Sequence, residues 1–314
     1  MAGLIPQPPA VLLARLLAEL EHGRGVFGLP RRSFWQPRAG HDLSVTLGDA
    51  RAANPIGPAA GPHTQLAPNL VTAWLAGARV LELKTVQVNE RPEIPRPCID
   101  AADVGYNVEW SQELTLAESA AEYLTAWVLV HVLRARGVAP GDTCFDASVG
   151  YDLAGLTAAP VARFLDTLTD GRAALVAWRA ALPSALARAA DVPVPERVIH
   201  AVTLSTFHGC PPDQIERMVE HLFTRHGLDV VVKLNPTLLG YDRVESLLRG
   251  TLGYDEITLD RGAFSTDLRF DDAVPMLERL AHAATRLGRR LGVKLTNTLV
   301  VRNTRGRLHG ERVY

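Results

Sequence analysis

Lysine provides the first chemical signal in this sequence. Of the 33 basic residues only Lys84, Lys233 and Lys294 are lysines, and the other thirty are arginines. Each lysine ends a short apolar run of strand character. Lysine is rarely buried in a strand unless it is paired, and its compact charge fits where the planar fork of arginine does not. We interpret these lysines as functional cations at strand ends; chance in so small a number is the alternative.

A second signal is a run of small residues between Asn54 and Gln65, which reads Asn-Pro-Ile-Gly-Pro-Ala-Ala-Gly-Pro-His-Thr-Gln. Within it, Ala59, Ala60 and Gly61 would let the backbone approach a flat ligand closely. A tight turn is the simpler interpretation. Because a turn does not need so many small residues, we favour a ligand surface.

Further polar clusters follow other predicted strands. They are residues 84–87, 106–111, 148–151 and 203–212, together with the segments around Lys233 and Lys294. Amides, hydroxyls and lysines dominate these clusters. Metal-dependent hydrolysis needs clustered histidines and carboxylates, and glycoside cleavage needs two facing carboxylates, so the clusters favour neither reaction. Glu82 precedes Lys84 by two positions, on the same strand face, and is its expected ionic partner. This donor set suits a neutral-to-anionic heteroaromatic ring, and flavin is the leading candidate.

The elements that must position these clusters alternate along the chain. Residues 10–22 predict an amphipathic helix, and residues 43–47 a short strand. The later predicted strands are 54–60, 80–85, 144–150, 198–205, 229–235, 256–260 and 293–299. The predicted helices are 116–136, 161–190, 213–225, 241–249 and 271–291. This alternation predicts βαβ units and a parallel sheet, and the number of units favours an α/β fold of the (β/α)8 TIM-barrel type over a doubly wound sheet.

Two sequence patterns refine this prediction. No Gly-x-Gly-x-x-Gly opens a helix after a predicted strand, so the sequence predicts no nicotinamide-binding Rossmann unit. A short internal repeat pairs Val232-Lys-Leu-Asn-Pro-Thr-Leu with Val293-Lys-Leu-Thr-Asn-Thr-Leu. The repeat indicates two strand ends that are used in a similar way.

Composition excludes several function classes. The chain has 314 residues, 47% of them hydrophobic and 21% charged, which is typical of a globular protein rather than a disordered one. A net charge of -1 gives no basic excess for nucleic-acid binding. Cys98, Cys144 and Cys210 are widely spaced, so we expect no metal site or disulfide framework, which suits a reducing cytoplasm. We also expect no signal peptide and no membrane span, since the longest apolar stretch, 123–133, is far shorter than the roughly 20 residues a span needs.

Taken together, the motifs resemble a known family. Five segments resemble the FMN-binding barrel of dihydroorotate and dihydropyrimidine dehydrogenases. They are Asn54-Pro-Ile-Gly-Pro-Ala-Ala-Gly-Pro, Lys84-Thr85, Ser205-Thr-Phe-His-Gly-Cys-Pro, Lys233-Leu-Asn-Pro and Thr296-Asn-Thr. Over nearly the whole chain, the sequence is similar to the N-terminal part of the YgfK-type family, large iron–sulfur flavoproteins assigned to selenate reduction. Four segments carry this second resemblance. They are Gly57-Pro-Ala-Ala-Gly-Pro-His-Thr-Gln-Leu-Ala, Glu82-Leu-Lys-Thr-Val-Gln, His208-Gly-Cys-Pro-Pro and Val232-Lys-Leu-Asn-Pro-Thr-Leu-Leu-Gly-Tyr.

The resemblance implies a cofactor, a domain plan and binding residues. The cofactor would be FMN, bound by a barrel domain over residues 51–314 that follows a helix-and-strand extension over residues 1–50. The residues that the resemblance assigns to the flavin are Ala59, Ala60, Gly61, Lys84, Thr85, Lys233, Asn297 and Thr298. Lys233 would lie against the pyrimidine edge of the flavin and stabilise negative charge there. Asn107 and Asn235 would bind a small-molecule substrate.

The proton-transfer residue departs from the dehydrogenase pattern, in which it is a Ser or Cys within Asn-x-Ser-(Ser/Cys)-Pro. A gapless register places Thr206 at that position, whereas aligning the Cys-Pro pairs selects Cys210. A threonine hydroxyl is a poor base without an activating neighbour. His208 either supplies that activation or is a loop histidine bonded to backbone. Cys210 is equally well interpreted as a small buried hydrophobic residue.

The resemblance also implies further elements. Strands seven and eight and the phosphate-binding loops would follow residues 310–314, so we expect a barrel without its last strands. Modules with FAD, NAD(P)H and 4Fe-4S clusters would belong to a C-terminal continuation or a redox partner subunit. The leading hypothesis is an FMN-dependent oxidoreductase that transfers hydride between the flavin and a small heterocyclic or oxo substrate. The alternatives are a non-catalytic docking or scaffold piece of a larger redox complex, and a Schiff-base aldolase that uses Lys84 or Lys233.

Overall fold

The computed structural model describes residues 4–89, 112–296, 299–304, 306 and 311–313. Helices alternate with strands over most of this length. The helices are α1 (Pro9–His22), α2 (Ala67–Leu75), α3 (Leu116–Ala135), α4 (Leu153–Leu156), α5 (Ala159–Thr169), α6 (Arg172–Ala180), α7 (Ser184–Ala189), α8 (Pro212–Arg225), α9 (Tyr241–Glu245), α10 (Arg261–Thr266) and α11 (Phe270–Arg286). Short 3-10 turns cover Arg31–Ser33, Pro62–Thr64 and Pro236–Leu239, and a π-helical segment covers Ser246–Thr251.

The strands divide into one larger sheet and three two-stranded pairs. They are β1 (Gly25–Val26), β2 (Leu29–Pro30), β3 (Val45–Leu47), β4 (Ala50–Ala52), β5 (Val80–Glu82), β6 (Cys144–Tyr151), β7 (Ile199–Thr206), β8 (Asp229–Leu234), β9 (Leu291–Leu295), β10 (Val301–Arg302) and β11 (Arg312–Val313). The larger sheet follows the chain order β5, β6, β7, β8, β9. The pairs β5–β6 and β8–β9 are parallel, as sequential βαβ units require. The fold is therefore of the α/β class.

Local sequence explains where the main helices begin and end. Pro8 is the N-cap of α1 and Pro9 its first residue, and Gly23 ends the helix with a φ of 70°, which glycine adopts without strain. Thr115 and Glu118 form a capping box before α3. That helix is buried on nearly all sides, which explains its continuous apolar sequence.

The chain divides into two compact units. Unit 1 comprises Met1–Val86, Glu113–Ser148 and Ala159–Ala201, and unit 2 comprises Gln87–Gln112, Val149–Ala158 and Val202–Tyr314. In unit 1, α3 packs against α2 and α5. In unit 2, α8 packs against α11 and β8, beside the β8–β9 pair.

Most predicted elements are confirmed with shifted bounds. The helix over 10–22 and the helices over 116–136 and 213–225 form, and five of the predicted strands become β5 to β9. The strand predicted over 43–47 is confined to β3, and the helix predicted over 271–291 ends at Arg286. The helix predicted over 161–190 is divided into α5, α6 and α7, because Gly171 and Pro183 interrupt it. The helix predicted over 241–249 changes to a π-helical segment after Glu245.

Two predicted strands are wrong. Residues 54–60 lie alongside β5, where the Ile56 carbonyl accepts hydrogen bonds from the Arg79 and Val80 amides and the Pro58 carbonyl accepts one from Glu82. Because proline has no N–H to return, this contact does not become a strand ladder. Residues 256–260 make only a single β-bridge, between Leu259 and Val301.

Within the described ranges, no helix combines the length and the apolar composition that a membrane crossing requires.

Candidate functional site

A solvent-open cleft in unit 2 brings together several of the predicted site residues. It lies where β7 and β8 end, and its enclosed volume of about 20 Å³ is that of a shallow depression with room for roughly one water molecule. Its polar lining includes Thr206, Cys210, Lys233, Asn235 and Asp267. The first four belong to the predicted site, whereas Asp267 does not.

Asp267 is the centre of a hydrogen-bond network in this cleft. Its side chain is only 2% exposed. One carboxylate oxygen accepts hydrogen bonds from the Thr237 hydroxyl at 2.7 Å and the Asn235 amide at 3.2 Å. The Gly209 N–H donates to the other oxygen at 3.0 Å. The His208 Nδ1 atom lies 3.1 and 3.2 Å from the two oxygens. Asp267 thereby connects the loop after β7 with the turn after β8.

These contacts keep the Asp267 carboxylate ionised. Burial by itself raises the pKa of Asp267, but the hydrogen bonds from His208, Thr237 and the Gly209 N–H outweigh it and bring the pKa below the ordinary 3.8. An anion at this position favours the imidazole tautomer with its proton on Nδ1, and the Asn235 Nδ2 atom lies 3.3 Å from the same nitrogen. The His208 side chain is about one-third exposed.

Cys210 is a neutral thiol at neutral pH. Burial raises its pKa to about 11, with the charges of Asp213 and Asp152 acting in the same direction, and a hydrogen bond with Thr206 opposes them. The Sγ atom lies 3.6 Å from the Gln214 Oε1 atom. Thr206 and Cys210 therefore lie together in the cleft, and neither is ionised there.

Two of the three lysines face each other across neighbouring strands. Lys233 pairs in register with Lys294, Val232 with Val293, and Leu234 with Leu295. The short internal repeat of the sequence is thus aligned residue for residue between β8 and β9. Since registered side chains share a sheet face, two cations lie side by side. Lys233 lines the cleft.

The other predicted binding residues that are described belong to unit 1. Lys84 is 4% exposed, its N–H donates to the Thr64 carbonyl at 3.3 Å, and its carbonyl accepts from the Tyr123 hydroxyl at 3.0 Å. The hydroxyls of Thr85 and Ser148 lie 2.7 Å apart. Lys84 and Thr85 are therefore held firmly at the end of β5.

The small-residue run contacts the same strand. The Ala60 N–H donates to Glu82 Oε2 at 2.9 Å, and the Gly61 N–H donates to Thr64 Oγ1 at 3.1 Å. Ala59 is exposed, Ala60 half-buried and Gly61 buried. A Cβ at Gly61 would lie 2.7 Å from the His63 ring, so a larger residue there would displace that side chain. The Ala60 N–H is engaged within the protein, which leaves van der Waals contact as the contribution of this run to a ligand.

Some predictions concern residues outside the described ranges. Asn107, Asn297 and Thr298 belong to this group. The neighbouring Thr296 hydroxyl donates to the Leu234 carbonyl at 3.1 Å. The described residues contain no group of three or more His, Cys, Asp or Glu side chains that could hold a metal ion.

Sequence reasoning missed Asp267 and Thr237. Asp267 follows α10 by one residue and has no strand before it, so the rule that strand ends carry polar site residues does not select it. Thr237 belongs to the repeat that contains Lys233, and that repeat is the signal that could have found it.

A parallel α/β sheet with polar clusters at its strand ends is the arrangement of TIM-barrel domains. Residues 27–314 match the family described as "Oxidoreductase YgfK, N-terminal TIM-barrel domain", and the chain belongs to this family. It is 42% identical to "Putative oxidoreductase YgfK" of Escherichia coli strain K12 and to the protein of that name in E. coli O157:H7, over 98% of this chain in each case. The chain spans about a third of the length of these relatives, 32%.

Proposed function

We propose that this chain is the FMN-binding barrel of an oxidoreductase that acts on a small heterocyclic or oxo substrate. The observation that carries the proposal is the cleft in which Lys233, Asn235 and the His208–Asp267 pair meet at the ends of parallel strands. Membership in a family described as oxidoreductases supports the reaction class.

The donor set of this cleft fits a flavin. A flavin presents carbonyl and nitrogen acceptors along one edge and gains negative charge there on reduction, which a nearby ammonium group and an amide favour. Lys233 and Lys294 are in register on β8 and β9, so their side chains share this sheet face. When bound, FMN would supply hydride transfer to or from the substrate. Asn107 would bind the substrate, and Asn297 and Thr298 would extend the flavin site.

The residues of the chain would divide the remaining work. Lys233 would stabilise negative charge on the bound ring, and Asn235 would bind a polar edge of the substrate while it donates to Asp267. His208, oriented by Asp267, would accept or donate a proton at Nε2. Thr206 and Cys210 would supply neutral hydrogen-bond donors, because the raised pKa of Cys210 keeps its thiol protonated.

The predicted flavin-binding residues of unit 1 form a surface of their own. Lys84 and Thr85 would offer donors at the end of β5, and Ala59, Ala60 and Gly61 would offer a flat apolar surface. The firm hydrogen bonding of these residues supports this role, because a preorganised surface loses little entropy on binding.

The whole protein would contain more than this domain. Since the chain spans about a third of its relatives, we propose that FAD, NAD(P)H and 4Fe-4S modules belong to the rest of such a protein or to a partner subunit. A barrel of the FMN-linked dehydrogenase type would need strands beyond β9. On β9, Val293 is 49% exposed and Leu295 73% exposed, which favours an additional element over them. The same exposure is what a docking or scaffold piece would show.

An FMN titration tests the proposal. The protein is titrated with FMN and desalted, and its visible spectrum and the reduction potential of the retained flavin are measured. We expect retained flavin, and Lys233→Met should weaken FMN binding at least about tenfold, the loss expected for one buried charge-assisted contact, and lower the potential. Arg286→Met removes an exposed cation that does not line the cleft and serves as control. Normal flavin content and an unchanged potential in Lys233→Met would contradict the role of Lys233, and absence of flavin in the wild type would favour the scaffold function.

A further inference from the structure

An exposed aromatic pair lies at the ends of β6 and β7 in unit 2. Tyr151 ends β6 and is 41% exposed, and Phe207 follows β7 and is 39% exposed. Their ring centroids are 6.2 Å apart and their planes are inclined by 51°. Two large rings that contact each other and also face solvent form a surface on which a third ring can stack.

The backbone holds Tyr151 in a conformation that tyrosine rarely adopts. Its φ is 92°, in the region that favours glycine. On one side Gly150 approaches β7 so closely that a Cβ there would lie 1.9 Å from the Ser205 carbonyl oxygen. On the other side Asp152 caps α4 by accepting from the Gly155 N–H at 2.7 Å. Both neighbours restrain the backbone around Tyr151, and this position carries a tyrosine although glycine would be unstrained there.

The aromatic pair is continuous with the cleft. Phe207 lines it together with Thr206 and Lys233. The cleft therefore combines a cation with an aromatic wall. Its buried anion, Asp267, is surrounded by four donors, and Lys233 is the cationic side chain of the lining.

We infer that Tyr151 and Phe207 form a stacking platform for a planar aromatic or heteroaromatic substrate with an anionic group on its edge. The inference names the substrate class of the cleft and so rests on the proposed function. The ring of the substrate stacks on one aromatic face and meets the edge of the other, while its anionic group points toward Lys233.

Binding of two matched probes to the full chain tests this platform. Benzoate is planar, whereas cyclohexanecarboxylate has the same carboxylate on a saturated ring. Isothermal titration of each should give an affinity for benzoate that is about fivefold higher, the factor expected of aromatic stacking. Phe207→Leu and Tyr151→Leu should each bring the ratio close to one, because leucine keeps apolar volume and removes the π face. Phe270→Leu removes an exposed phenylalanine at the start of α11 and should leave the ratio unchanged.

Two further measurements separate the possible failures. Tyr151→Gly should melt at or above the wild-type temperature, since it relieves the strained φ; a lower melting temperature means that the ring serves packing and overturns the inference. An FMN titration of the same variants identifies the occupant. If Phe207→Leu weakens FMN binding and leaves the probe ratio unchanged, the pair belongs to the cofactor and the inference is wrong. A probe preference that depends on Phe207 supports the platform even where FMN does not bind, whereas FMN binding without a preference overturns the platform alone.

Discussion

The Nδ1 atom of His208 lies 3.1 Å from a carboxylate oxygen of Asp267, although 59 positions separate the two residues in the chain. The contact joins the loop after β7 to the residues just before α11. Because Asp267 also accepts from Thr237 and Asn235, it holds the turn after β8 as well. One buried carboxylate thus fixes three segments that line the cleft.

Removal of this charge should loosen the cleft. Asp267→Asn keeps the side-chain shape but faces four donors with an amide, so we expect a loss of about 2 kcal/mol in the free energy of unfolding at pH 7. Folding lowers the pKa of Asp267 below 3.8, so its stabilisation is present above that pH and is lost as the pH falls through the folded-state pKa. Urea denaturation of both proteins at pH 7 and pH 3 measures the difference, which should shrink at pH 3.

A matched exposed carboxylate provides the control for this experiment. Asp255→Asn lies outside the cleft and should change stability by less than about 0.5 kcal/mol. A difference between wild type and Asp267→Asn that stays the same at pH 3 would show that the ionised carboxylate is not the source of stability.

The contrast between Lys233 and Asp267 shows what the sequence could predict of the site. Lys233 lies near the end of β8, and His208 and Asn235 come just after β7 and β8, so the rule that strand ends meet at one edge of a parallel sheet placed them together. Asp267 follows a short helix, and its partners come from loops that approach only after the chain has folded. Local periodicity contains no information on such an approach, so no pattern in the sequence selected it.

The fold was predictable for the same reason. Its prediction failed where backbone chemistry overrides the pattern of apolar residues. The apolar runs at Val230 and Val293 form the predicted strands, because both continue an apolar sheet. Residues 54–60 were also predicted as a strand, yet their prolines lack the N–H groups that a ladder needs. The three short helices α5 to α7 replace one long predicted helix where a glycine and a proline interrupt it.

Gly57 should be essential to the contact between residues 54–60 and β5. A Cβ at this position would lie 1.4 Å from the Val80 carbonyl oxygen, and backbone atoms on both sides cannot yield easily. Gly57→Ala should therefore cost about 3 kcal/mol in unfolding free energy. Gly250→Ala is the matched control, because nothing lies within 4 Å of the position that its Cβ would occupy. Equal denaturation midpoints for the two variants would contradict this account.

Arg79 is a buried guanidinium that a lysine should not replace. It lies 4.6 Å from the Trp35 ring and 5.0 Å from the Trp74 ring, and it donates to the carbonyls of Trp74, Ala78, Ala139 and Pro140. The planar fork makes these contacts together, whereas an ammonium group is a point charge. Arg79→Lys should lower the unfolding free energy by about 2 kcal/mol, measured by urea denaturation, while the exposed Arg51→Lys should stay within about 0.5 kcal/mol. Similar losses in both variants would contradict the special role of the fork.

His131 should make stability depend on pH in the mildly acidic range. Its ring packs against Trp127 within α3, at a centroid distance of 4.5 Å, and burial together with the charge of Arg134 lowers its pKa from 6.5 to about 4. Between these values the unfolded chain binds a proton that the folded chain does not, so stability falls as the pH drops from 6.5 to 4, by at most about 3 kcal/mol.

Burial also lowers the pKa of His63 and His221, so the wild-type slope contains their contributions. The comparison of variants isolates His131: His131→Leu should flatten the slope of unfolding free energy against pH, and the exposed His282→Leu should keep it. A slope that is the same in His131→Leu and wild type would mean that His131 is already protonated in the folded protein.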